Sequence, residues 1–304
     1  MNYVTKTMIQ ALRGMRTTAA HLAEVWQQSP AMAVAWQAAL LADGKRKLLS
    51  VNQAKLDKAG DEIGMVNVGL TLSPADEAAQ FISAIYHACK GSTPACEGAC
   101  VGNATGQAAI SALMEFDGHK LARIARAVLK SVMPEDFRRR EALELWAAQR
   151  KADRLGYGLA YRPDVASDHQ DTAPDGTGER PPCMVYGYTA VSSAMRQRDG
   201  VFRAYSRKDT ERSDGLARAW VAKGFPVAVV FDVPKGQPLP ATWGMAPVID
   251  GDIHDVWPLQ DHPTTGAPIK DSFGEHGVVV GLRAKYASRA QREAIVSSGF
   301  AVSA

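Results

Sequence analysis

Val201-Phe202-Arg203-Ala204-Tyr205, then Leu216-Ala217-Arg218-Ala219-Trp220-Val221-Ala222-Lys223, then Pro226-Val227-Ala228-Val229-Val230-Phe231, is the stretch that decides the fold. The outer segments are short β-rich runs bounded by turn residues, and the middle one reads as a helix. Strand–helix–strand alternation predicts an α/β fold with parallel pairing. Working outward, Gly158–Arg162, Cys183–Tyr188, Val248–Ile249 and Gly277–Leu282 are further runs of the same kind, and Met65–Leu72 is a strand. Helices are sparse after residue 224, so the expected architecture is partial-barrel-like: a mostly parallel sheet with flanking helices.

The beginning of the chain reads differently. Met8, Leu12, Met15 and Ala19 recur at helical spacing, and Val25, Trp26, Met32, Val34 and Trp36 continue the apolar pattern until Asp43-Gly44-Lys45. Residues 1–45 are therefore read as an N-terminal helical extension and 46–304 as a single α/β domain. Ser73-Pro74-Ala75-Asp76 has the form of a helix start, and that helix is expected to run through Phe81, Ile82 and Ile85 toward Cys89. Helical sequence resumes near Gln107 and runs through Leu113 and Val128 to Pro134, where a second helix begins and runs to Gly156. Asp164 to Pro182 is a polar loop.

Of 304 residues, 46% are hydrophobic and 22% charged, which excludes disordered and collagen-like classes. A formal charge of +3 does not announce a nucleic-acid protein, and no apolar run is long enough to span a membrane. Lys6 and Arg13 flank only Met8–Leu12, too short for a signal-peptide core, so a cytoplasmic location is expected.

Four cysteines are present, and Cys89, Cys96 and Cys100 fall within twelve residues. In a reducing compartment such a cluster points to metal. Soft thiolates suit an iron–sulfur cluster or zinc. Gly91, Pro94 and Gly98 let the loop wrap, and its amides can donate to cluster sulfurs. Zinc wants four ligands, and the fourth would be Cys183 or His87. Three reduced thiols in a small-residue loop is the bland alternative.

Polar residues cluster after several predicted strands. Asp250, Asp252 and Asp255 form an acidic turn that fits a polar site wall as well as a solvated Asp-Gly turn. Arg162 with Asp164, Asp168 and His169 can bind a carboxylate or phosphate, and an ordinary surface loop explains them equally. Tyr188, in Tyr186-Gly187-Tyr188-Thr189, follows another strand. Ligands gather at the carboxyl ends of parallel strands, so Arg162, Asp168, Tyr188, Asp250, Asp252 and Asp255 are candidate pocket residues beside the cysteine loop. Lys120, Arg123, Arg126 and Lys130 lie near one helix face and are candidates for tracking a nucleic-acid backbone, although a charge run is usually a solvated face.

The ordered motifs resemble the bacteriophage family called gene product eighty-eight. The blocks are Asn52–Leu56, the cysteine loop, Ala122–Arg126 with Pro134–Phe137, Tyr161–Asp168, Tyr186–Thr189, Tyr205-Ser206, Val227–Phe231, Ile249–Asp252 with Asp255, and Val279–Lys285. They span about residues 48–286. The resemblance brings no activity with it. The cysteine loop is similar to those of radical S-adenosylmethionine-like phage proteins, which implies Cys89, Cys96 and Cys100 as ligands of a four-iron four-sulfur cluster whose open iron takes S-adenosylmethionine. The spacing here is six and three residues, where that pattern has three and two. A nucleotide or nucleic acid is the partner this implies, in the cytoplasm of the host cell. The alternative is a non-enzymatic phage accessory protein that binds nucleic acid or a host partner, with structural zinc or no metal.

Overall fold

A computed structural model of the chain describes residues 3–50, 62–83, 86–102, 116–169, 180–195 and 199–303. The Asn52–Leu56 block, the Gln107–Leu113 helix start and residues 170–179 of the polar loop lie outside them. Three helices come first: α1 (Lys6–Leu12), α2 (Ala19–Gln28) and α3 (Pro30–Ala42). Thr5 and Thr18 cap the first two through their hydroxyls, and Pro30 opens the third. Helix α3 is Ala-rich and buried almost all round, from Ala31 to Ala42. It packs on the helix of residues 118–132, so the stretch read as an extension shares one core with the sheet.

The sheet begins with β1 (Leu49–Ser50), antiparallel to β2 (Met65–Leu70). A short helix α4 (Pro94–Gly98) carries Cys96; then α5 (Gly118–Val132) and α6 (Pro134–Leu155) lead to β3 (Gly158–Arg162). Pro134 separates α5 from α6, Glu135 and Asp136 lie in the first turn of α6, and Gly156 ends it with φ 69°. Next come β4 (Met184–Thr189), β5 (Val201–Ser206), α7 (Glu211–Ala222), β6 (Val227–Phe231), β7 (Thr242–Trp243), β8 (Ala246–Asp250), β9 (Val279–Arg283), α8 (Arg289–Ser297) and β10 (Ala301–Val302). The order is β1-β2-β3-β4-β5-β6-β9-β8-β7, parallel from β2 through β8, with β10 added parallel to β6. Strands β2 to β6 follow in chain order and the sheet then turns back through β9 and β8; the antiparallel β1 and β7 end it, and it stays open.

The two faces of the sheet are covered differently. Leu159, Tyr161, Val185 and Val201 face the α3–α5–α6 layer, where Tyr161 donates to the buried Glu141 of α6. Ala160, Ala204 and Ala228 line the other face. Their small side chains leave room for Trp257 and Ile269 of the irregular segment 251–276, which fills the interior that missing strands would otherwise close.

One predicted element is absent. Residues 74–83 form turns and one 3-10 turn (Ala79–Phe81), not an α-helix. Ala75 adopts φ 45°, a left-handed conformation that stops helix propagation, and Ser73 bonds Glu77 through its hydroxyl instead of capping. The C-terminal α8 and β10 were not legible as such. Among the described residues no helix is long and apolar enough to cross a membrane.

Candidate functional site

All strands from β2 to β6, with β8 and β9, point their carboxyl ends the same way, so the loops that follow them meet at one edge of the sheet. There they surround a cavity of about 250 Å³. Cys89, Cys96 and Cys100 line it, with Arg162 at the end of β3 and Asp168 beyond it, Tyr188 and Thr189 of β4, Ser206 at the end of β5 and Lys208 beyond it, Asp252 after β8, and Arg283 at the end of β9.

The cysteine loop is held from several sides. The Ala75 amide donates to Cys89 Sγ at 3.4 Å, and the Gly102 amide donates to Cys100 Sγ at 3.4 Å. Cys89 pairs as an isolated bridge with Asp168. Gly91 touches the end of β4 so closely that a Cβ there would lie 2.6 Å from Ala190 Cβ. Thr93 caps α4 by accepting from the Cys96 amide at 3.2 Å, and its hydroxyl donates to Asp209. From the far end of the chain Gln291 donates to Gly98 O at 2.8 Å. Burial pushes the Cys89 thiol up to about 12, and the neighbouring Cys100, Cys96 and Asp168 add to the shift.

Arg162 anchors the floor. It donates to Asp255 Oδ1 at 2.6 Å and lies over the Tyr188 ring at 5.1 Å. Tyr186 donates to Asp255 Oδ2 at 2.7 Å and meets Asn67. Burial opposes the guanidinium charge, but Asp255 outweighs it and holds the pKa of Arg162 above its ordinary value. Asp168 accepts from Thr189 Oγ1 (3.1 Å) and the Ala190 amide (2.8 Å), both on Oδ2. Burial raises its pKa against those two bonds and the nearby Lys208. Lys208 donates to Ser206 Oγ at 3.0 Å.

The predicted pocket residues are thus only partly brought together. Arg162, Asp168, Tyr188 and Asp252 line the cavity with the three cysteines; Asp250 and Asp255 do not. Asp250 is clamped by both terminal nitrogens of Arg283 (2.8 and 2.7 Å), and Asp255 is buried on Arg162. The acidic turn is therefore stapled to β9 and β3 by arginines. Cys183 stands apart from the other three: just before β4, at the opposite end of that strand from Thr189, packed on the main core, with its thiol pushed up to about 11 by burial. His87 stays beside the loop, with Nδ1 accepting from the Cys89 amide (3.3 Å) and Nε2 near Glu97 (3.3 Å).

Lys120, Arg123, Arg126 and Lys130 do not form an exposed stripe. Arg123 is buried on Glu77, and Arg126 donates to Lys47 O, burial lowering its pKa to about 10. Lys120 shares Glu77, and Lys130 lies over the Phe137 ring.

Cys89, Cys96 and Cys100 bring three soft sulfur donors to the cavity lining, and two of these sulfurs accept amide hydrogen bonds. Among the described residues no three His, Cys, Asp or Glu side chains are close enough to form a ready-made cage for a metal ion. The clamps on the loop, Asp209 and Gln291, escaped the sequence reading because they are distant in sequence and ordinary in type. Lys208 had one signal, its place directly after a strand.

No curated protein and no solved structure matches the chain. A family model described as Gene product 88 matches residues 40–299. That match covers most of the chain and takes in every motif block quoted above, and the protein belongs to the phage gene-product family Gene product 88.

Proposed function

We propose that the protein is an iron–sulfur enzyme in which Cys89, Cys96 and Cys100 hold a four-iron four-sulfur cluster at the carboxyl-end cavity. The observation that supports it is three thiols lining one cavity at the place where open α/β sheets bind ligands. Of the two fourth ligands the sequence offered for zinc, Cys183 stands at the far end of β4 and both nitrogens of His87 are engaged. A cluster held by three thiolates supplies one-electron chemistry and an iron with an open coordination position.

The chain's own groups bind and orient what meets that position. Among the described residues Asp168 Oδ1 takes no hydrogen bond while Oδ2 takes two, and Lys208 spends one N–H on Ser206. A carboxylate and an ammonium facing one cavity suit a ligand that carries both charges, and the amino-acid end of S-adenosylmethionine is such a ligand. Arg162 and Tyr188, fixed by Asp255, form a stacked wall against which a nucleoside ring can lie.

The test is anaerobic purification and reconstitution with iron and sulfide, followed by metal analysis and visible and electron-paramagnetic spectroscopy. A brown protein holding iron and acid-labile sulfide is expected, and S-adenosylmethionine should perturb the reduced signal. The C89S/C96S/C100S variant should stay folded and colourless. A reconstituted protein without iron, or one with stoichiometric zinc, would refute the proposal.

A further inference from the structure

We propose that Arg16, Lys45, Arg46, Lys47 and Arg139 form a surface that binds the phosphate backbone of nucleic acid. Three segments far apart in sequence build it. Arg13 donates to Asp43 (2.8 Å) and Asp136 (3.2 Å), and the Gly14 amide donates to Asp43 (2.7 Å). Gly44 sits against the Arg140 guanidinium, where a Cβ would lie 2.7 Å away. Arg126 donates to Lys47 O at 3.1 Å. The 43–47 turn is thereby wedged between residues 13–16 and the first turns of α6.

Three acids of this region, Asp43, Asp136 and Glu144, are held inside it, and Glu135 in the first turn of α6 stays exposed at its edge. Asp43 is shared by Arg13 and Lys45, and Asp136 by Arg13 and Arg139. Glu144 accepts from Arg140 and from the amides of Leu48 and Leu49. Arg16, Arg46 and Lys47 are exposed and have no acidic partner among the described residues. The whole chain carries only +3, so this surplus is a local concentration of positive charge. Arginine forks and lysines on a braced surface are what phosphodiester contacts need.

The position adds to the charge. The turn leads into β1, where Leu49 lies opposite Leu70 at the carboxyl end of β2, so the surface and the cavity share one end of the sheet. An anionic membrane is the less fitting partner. Membrane surfaces are gripped by a broad apolar face beside the cations, and beside these stands Met15 as the exposed large apolar residue. The inference is independent of the cysteine site.

Fluorescence anisotropy with a labelled DNA duplex and a labelled single strand, over a salt series, tests it. The full chain should bind at low salt and weaken steeply as salt rises. R16E/R46E/K47E should lose about tenfold or more in affinity, and its salt slope should be shallower by about three. R150E/K151E/R154E, a reversal on the exposed end of α6, should bind as the parent does, and so should C89S/C96S/C100S. Circular dichroism checks that each variant is folded. Binding that ignores salt, a triple reversal at residues 16, 46 and 47 without effect, or capture by phosphatidylserine vesicles but not by DNA would overturn it.

Discussion

The amide of Ala75 donates to the sulfur of Cys89 at 3.4 Å from a left-handed backbone, φ 45°. Its carbonyl accepts from the Ala88 amide at 2.7 Å, so both polar groups of one residue are turned onto the start of the cysteine loop. An alanine in this region costs about 1–2 kcal/mol. The strain also explains why Ser73-Pro74-Ala75-Asp76 does not start a helix: the backbone that would propagate it serves the thiol instead.

Replacing Ala75 by glycine removes the Cβ penalty but adds unfolded-state entropy, which offsets part of the gain. A75G is expected to raise stability by up to about 1 kcal/mol, and A75V to lower it by about 2 kcal/mol or more. Thermal melts decide between them. A valine variant as stable as the parent would show that the site carries no strain.

The parallel strands were legible because each is a short apolar run bounded by turn residues, as Val227–Phe231 is. Filling of the interior by Trp257 was not legible, since an irregular segment has no periodicity to read. The site was half legible. Loops after strands converge for topological reasons, which brought Arg162, Asp168 and Tyr188 to the cysteines. Sequence cannot separate a carboxylate that faces a cavity from one clamped by an arginine. Asp250 and Asp255 are of the second kind, and their partners Arg283 and Arg162 lie on other strands. For the same reason Arg123 read as surface charge when it is buried on Glu77.

Gly91 has no room for a side chain. An added Cβ would stand 2.6 Å from Ala190 Cβ and 3.0 Å from the Ala190 carbonyl carbon, which is backbone and cannot step aside. G91A should therefore cost about 1–3 kcal/mol and push the cysteine loop off the end of β4. Iron bound after reconstitution should fall with it. Full iron content at parental stability would mean that this contact does not position the loop.

Arg162 and Asp255 are a buried pair, with side chains 13% and 1% exposed. Removing one partner strands a charge and is expected to cost about 3–5 kcal/mol. D255A and R162A should each be strongly destabilising, and the double variant should cost clearly less than their sum. Urea melts of the four proteins give the coupling. Additive losses would show that the two side chains act separately.

Asp164 and Asp168 are two buried carboxylates four residues apart with opposite shifts. Burial works to raise both. At Asp164 it is outweighed by the His169 side chain and amide and by the Ser167 hydroxyl at 2.8 Å, so the pKa falls below the ordinary value. A depressed carboxyl stabilises the fold above its unfolded pKa of about 3.9, and that contribution is lost as pH falls through the lower folded value. Asp168, raised, has the other sign: its folded form holds the proton more tightly, so ionisation costs stability as pH rises past the unfolded value. The stability deficit of D164N is expected to be largest near neutrality and to close on acidification below about pH 4. For D168N the difference from the parent should move the opposite way over that limb. Melting temperatures of the three proteins across the acid limb measure both. A D164N deficit that stays constant with pH would mean that Asp164 is held by shape alone and not by its charge.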